Sequence, residues 1–318
     1  MNFFLKSLFF FFICSPLFSQ SEITKQEIKE HIEFLTSDKN AGRYPGEKEN
    51  KSVVTYLEKE FRKMKLNSFD THYKQFFEAK LRVDQGQDEH WVTTCNVIGY
   101  IAGNDSILKN EFIVLGAHYD HLGLGGPSSK SAKRGVVYHG ADDNASGTAA
   151  LLEISEKLVA HQNELKRSII FIAFGAEEQG LLGSQHFVEN ATIPLSQIKL
   201  MINMDMVGRL NDRKEVYMGG AGTFSGGVTL MEELGLKLGL NPVVHAGSVG
   251  GSDHVSFYKK DISVLGIHTG GHEQYHTPED TLEHINLAGE QLVCEYIYQA
   301  LMHLATRPEE LYFINQDK

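Results

Sequence analysis

Cysteine, tryptophan and proline are scarce in this chain: 318 residues carry three, one and seven of them. With Cys14 inside a leader segment, only Cys95 and Cys294 remain. One bridge between them and two separate buried thiols both stay open. Neither sits in the polar, glycine-rich turn that a nucleophilic cysteine would occupy. Positive charge is also short, with 30 Lys and Arg against 41 Asp and Glu, a net charge of −11. No basic stripe is available, which argues against nucleic acid and anionic membrane surfaces as partners. No stretch after Gln20 has the roughly 20 apolar residues that a membrane span needs. There is no Gly-X-Y period, internal repeat, low-complexity block or linker. What is present is ordinary globular material, 42% hydrophobic and 22% charged, together with 15 histidines, the first hint of metal or acid–base chemistry.

Met1–Gln20 carries Lys6 as its only charge, an apolar core over Leu8–Cys14, a break at Ser15-Pro16 and a small residue, Ser19, where a peptidase can cut. This is the pattern of a secretory leader, so export to the periplasm or the exterior is expected. Ile13 before Cys14 argues against lipid attachment. The rest, 21–318, reads as one domain. Thr24-Lys25-Gln26-Glu27 is a capping box, with Ile28, Ile32 and Leu35 at helical spacing behind it. Val53, Leu57, Phe61 and Met64 mark a second helix, and Leu292, Tyr296, Ala300 and Leu304 a closing one. Trp91–Gly99, Glu111–Gly116, Ser168–Phe174, Leu200–Met206 and Ile262–Ile267 read as strands, several of them apolar on both faces. Strands alternating with helices predict an α/β domain: a three-layer α/β/α sandwich around a mixed, mostly parallel sheet.

Polar residues cluster where those strands end: His118 and Asp120 after one, Asp142-Asp143-Asn144-Ala145-Ser146-Gly147 opening a helix, Glu177-Glu178 after another, Asp205 in Asn203-Met204-Asp205-Met206, and Tyr275-His276 in a late loop. Ligands of open α/β sheets gather beyond the carboxyl ends of strands, so these segments are expected on one rim. Two imidazoles and three carboxylates can hold two divalent ions if one carboxylate bridges. Two such ions, roughly 3.5–4 Å apart, share a hydroxide and clamp a tetrahedral intermediate. The chemistry also needs a base that is not a ligand, and adjacent Glu177 and Glu178 supply one of each. Asp120 is expected to accept the second ring N–H of His118.

Taken in order, these blocks resemble the M28 family of zinc aminopeptidases, over nearly the whole chain after the leader. The resemblance implies two Zn2+ per chain: His118 and Asp205 on one, Glu178 and His276 on the other, and Asp142 as the bridge, with a cis bond between Asp142 and Asp143. It implies Glu177 as general base and then acid, Tyr275 facing the oxyanion, Asp143 behind the ligands or in the substrate pocket, and Asp253, within Ser252-Asp253-His254, in that pocket. The longer segment Gly123–Val137 is expected to shape the cleft. Peptides with a free N-terminus would be the substrates. Two rivals share the scaffold. A single-zinc glutaminyl-peptide cyclotransferase is disfavoured because Trp91, the only Trp, lies far upstream of every ligand block. A non-catalytic binding module is disfavoured because no ligand is missing.

Overall fold

A computed structural model describes residues 22–247 and 249–316; the leader expected over 1–20 lies outside the described residues. Thr24 caps α1 (Lys25–Thr36), its side chain accepting from the Glu27 N–H at 3.1 Å. The Glu27 carboxylate accepts a hydrogen bond from the Thr24 hydroxyl at 2.7 Å, while the Thr24 N–H donates to Glu153 at 3.3 Å. Ile23 and Ile28, either side of this cap, are buried. The second predicted helix, α2 (Lys48–Lys63), buries Val53, Leu57 and Phe61.

Eight strands form one sheet in the order β1-β2-β4-β3-β5-β8-β6-β7. They are β1 (Lys74–Leu81), β2 (His90–Ile101), β3 (Phe112–His118), β4 (Ser168–Phe174), β5 (Ile198–Met204), β6 (Glu215–Gly219), β7 (Asn241–Val244) and β8 (Ser263–His268). The central run β4-β3-β5-β8 is parallel; β1 and β2 join one side antiparallel, and β6 meets β8 antiparallel with β7 parallel beyond it. Every residue of β3 and β4 is buried, as strands covered on both faces must be. Alternate residues serve opposite layers: Ile113, Leu115 and Ala117 face one core, Val114 the other. The first layer holds α1, α2, α3 (Gly147–Ala160), α5 (Gly227–Lys237) and α7 (Leu287–Thr306). The second holds α4 (Leu182–Glu189) and α6 (His254–Tyr258), through Phe187 and Phe257. The expected three-layer sandwich is the fold. Cys95 and Cys294 are separate buried thiols.

Strand register places the polar blocks. His118 ends β3 opposite Phe174 of β4, which leads within three residues to Glu177. Gly116 lies opposite Asn203 of β5, and the Asp205 N–H, one residue past that strand, donates to Ile267 O of β8 at 3.1 Å. The carboxyl ends of four adjacent parallel strands thus form one rim. Among the described residues no helix is long and apolar enough to cross a membrane.

Candidate metal centre

The rim brings together His118, Asp143, Glu177, Glu178, Asp205 and His276. The two oxygens of Asp143 lie between two imidazoles: Oδ1 is 3.3 Å from His118 Nε2, Oδ2 is 3.0 Å from His276 Nε2. Asp205 Oδ1 is 3.5 Å from His118 Nε2, and Glu178 Oε2 is 3.1 Å from His276 Nε2. Glu177 Oε2 stands further off, 3.9 Å from His118 Nε2.

This corrects the expectation for Asp142. Its carboxylate faces away from the imidazole pair, accepting the Gly208 N–H at 2.8 Å and the Ser146 hydroxyl at 3.2 Å, with His272 Nε2 3.2 Å from its other oxygen. The backbone is left-handed at Gly140 and non-helical at Asp143 and Asn144, and this irregular turn presents the second aspartate rather than the first. The cis peptide likewise lies one bond later, between Asp143 and Asn144. Asp142 instead ties the turn to the segment after Asp205. Asn144 does the same, its side chain accepting from Gly147 and Met206 N–H and donating to Met204 O. Gly147 permits this close approach, since a Cβ there would lie 2.3 Å from Asn144 Oδ1.

Ring orientation is set from behind. His118 Nδ1 lies 3.3 Å from the backbone oxygen of Asp120, and His276 Nδ1 is 2.8 Å from Ser128 O. Each Nδ1–H donates to its carbonyl, which turns Nε2 toward the carboxylates. The Asp120 carboxylate, expected on His118, is 3.8 Å from that ring; it accepts the N–H groups of Glu177 and Glu178 at 2.9 and 3.3 Å. The segment Gly123–Val137, expected to shape the cleft, contributes no lining residue to it; through Ser128 it braces His276.

Residues absent from the sequence reading complete the frame. Asp280, fully buried, accepts the N–H groups of Asp142 and Asp143, both at 3.0 Å, and is paired with Arg209 at 2.5 Å. Arg43, also fully buried, donates to the carbonyls of Leu35, Tyr119, His139 and Gly140, joining the turn after α1 to both ligand loops. Burial pulls its guanidinium down to about 10, against the raising effect of Asp143 and Asp120. His121 is buried beside Glu178, Nδ1 to Oε1 at 2.9 Å. The sequence signals for them were the apolar strand before His121, the turn Gly42-Arg43-Tyr44-Pro45-Gly46, and the segment Thr277–Thr281 that holds Asp280.

The electrostatics are those of a site short of positive charge. Burial alone would depress His118 and His276, yet neighbouring carboxylates raise both, His276 to about 10. Burial pushes Glu177 well above the carboxylate range, and Glu178, Asp253 and Asp205 add to it. Asp143, despite burial, is held well below that range by His118 and His276. Three carboxylates around two imidazoles, with separations of 3.0–3.5 Å between facing donors, match the roughly 3.3 Å spacing of donors around a tetrahedral zinc. His118, Glu177 and Asp205 offer donor atoms within 4.8 Å of one another, as do His121, Asp143 and Glu178. The set fits divalent metal.

A cavity of about 380 Å³ opens beside this centre, lined by His118, Asp143, Glu177 and His276 on one wall and by residues such as Tyr217 and His268 on the other. Tyr275 lines it too, stacked on His276 at 3.9 Å. Asp253, expected in the pocket, is fully buried behind it; its neighbours Ser252 and His254 supply the lining.

Comparison with known proteins agrees with this frame. The chain is similar to aminopeptidase YwaD of Bacillus subtilis, 34% identical over 226 residues, 66% of this chain and 45% of that protein. It therefore spans less than half the length of that relative. In structure it is similar to a Zn-dependent exopeptidase from Parabacteroides distasonis, with a TM-score of 0.71 at 20% identity, covering 88% of this chain and 98% of that one. It is equally similar to the glutaminyl cyclase of Porphyromonas gingivalis, with a TM-score of 0.71 at 19% identity, covering 89% and 99%. These two likenesses speak for the fold. The sequence pattern of peptidase family M28 matches residues 96–301, more than half of the chain, and the protein belongs to that family.

Proposed function

We propose that the protein is a di-zinc aminopeptidase, removing N-terminal residues from peptides. The observation that carries this is the Asp143 carboxylate, one oxygen facing His118 and the other His276, with Glu177 beside it and further from the ring nitrogens. His118 and Asp205 would hold one ion, His276 and Glu178 the other, and Asp143 both. Two zinc ions, when bound, supply a Lewis acid for the scissile carbonyl and acidify water. Glu177 takes the proton of the attacking water and returns it to the leaving amine. The backbone N–H of Glu177 on Asp120 keeps the carboxylate in place. Tyr275, whose burial keeps the phenol protonated, is a hydrogen-bond donor for the oxyanion. The apolar run Leu8–Cys14 supports export by a cleaved leader, which N-terminal sequencing of the mature chain tests.

The fold is equally that of a glutaminyl cyclase, so the rival reaction is tested directly. No side chain lining the cavity is an indole, which supports the peptidase reading. Aminoacyl-anilides with free and blocked N-termini, and a glutaminyl peptide, are offered to the enzyme with and without chelator and zinc. Chelator-sensitive cleavage of free anilides with two zinc per chain is expected. Cyclisation of the glutaminyl peptide with one zinc per chain overturns the proposal.

A further inference from the structure

The strand β3 delivers three polar side chains in four residues, and each meets the Glu177-Glu178 turn differently. His118 faces the carboxylates, Asp120 holds the two backbone N–H groups, and His121 reaches the Glu178 side chain itself. The His121 ring is fully buried and locked in place: Gly140 packs against it so closely that a Cβ there would lie 2.5 Å from the ring. Its Nδ1 is 2.9 Å from Glu178 Oε1 and 3.9 Å from Asp143 Oδ2, whereas its Nε2 is buried with no hydrogen-bond partner. The two oxygens of Glu178 are thereby divided, Oε1 to His121 and Oε2 to His276 at 3.1 Å. A buried imidazole nitrogen left without a partner calls for an explanation.

We infer that His121 is a positioning residue for the metal centre: its Nδ1–H occupies one oxygen of Glu178, so that only the other is presented to the second ion. This rests on the di-zinc reading. A ring that donates through Nδ1 cannot also ligate through it, and the hydrogen bond on Oε1 biases Glu178 toward binding an ion through Oε2. Partners that orient ligands in this way typically change metal affinity about 10- to 100-fold when lost.

Three substitutions separate the possibilities. The Nδ2 of His121→Asn falls where Nδ1 stands, the amide of His121→Gln reaches the Nε2 position, and His121→Leu donates from neither. Stepwise zinc affinities of the full chain are measured by competition with a chromophoric chelator, and the Co2+ absorption spectrum is recorded alongside. Expected is a 10- to 100-fold weakening of one of two zinc equivalents in the Leu and Gln variants, the other staying within about threefold, and near-normal affinities in the Asn variant. Loss of an equivalent in all three variants makes His121 a direct ligand and overturns the inference; normal affinities in all three do so too. Nitrogen NMR of the metal-free wild-type chain serves where a variant does not fold: the Nδ1–H tautomer is expected, and the Nε2–H tautomer refutes the idea. Wild-type protein that takes up fewer than two zinc ions refutes the di-zinc reading itself.

Discussion

The two walls of the cavity are built by different rules. On the metal side, ligand segments are tied from behind by a named polar group: Asp120 under Glu177 and Glu178, Asp280 under Asp143, Ser128 behind His276, and the Asp120 carbonyl behind His118. On the facing side stand His245 and His268, both exposed, and Gly250 and Gly251, around which an added Cβ would meet nothing within 4 Å. Chemistry that depends on ångström-scale placement sits on the clamped wall. The open wall is free to vary without disturbing it, so selectivity is expected there.

Substitutions can break this contrast. The largest effect is expected for Glu177→Gln, which should lower kcat by about 10²- to 10⁴-fold while zinc content stays at two per chain; full turnover would remove Glu177 from the mechanism. Next is the aspartate pair. Asp143→Asn should weaken both zinc ions by at least about 100-fold in chelator competition, whereas Asp142→Asn should cost about 10-fold or less and act on stability instead. Equal metal loss in both variants would erase the distinction between them. Third, Arg43→Met strips four carbonyls of their donor and should lower unfolding free energy by about 3 kcal/mol, read by urea denaturation of the metal-free chain. The smallest structural effect is expected on the open wall. Tyr217→Ala should leave stability within about 0.5 kcal/mol yet change the ratio of kcat/KM for bulky and small first residues by about 10-fold. A large stability loss there would mean that both walls are equally rigid.

Much of this molecule was legible in its residues, and what was not has a physical cause. The strands β3, β4, β5 and β8 announced themselves because burial on both faces demands unbroken apolar runs. The edge strand β1 did not: Glu78 and Lys80 alternate with buried Phe77, Ala79 and Leu81, which blurs the apolar signal. The short strand β7 carries Pro242, which argues against a strand until it is seen to lie at the sheet's edge. His118, Glu177, Glu178 and Asp205 were found because they end or follow apolar strands. Within Asp142-Asp143, however, adjacent identical side chains differ only in where the backbone turns, which composition does not encode. Arg43, Asp280 and His121 were missed for a related reason. Each acts across 57 to 138 residues of chain, on a carbonyl, an N–H or a carboxylate that no local pattern marks.

The order in which the ligands occur along the polypeptide has a further consequence. His118 arrives early, but His276 follows β8, the last of the described strands along the chain. A nascent or proteolytically shortened chain that stops before that point lacks the imidazole that faces both Asp143 and Glu178. The polar cluster on the rim is therefore complete only once the chain beyond β8 has been added.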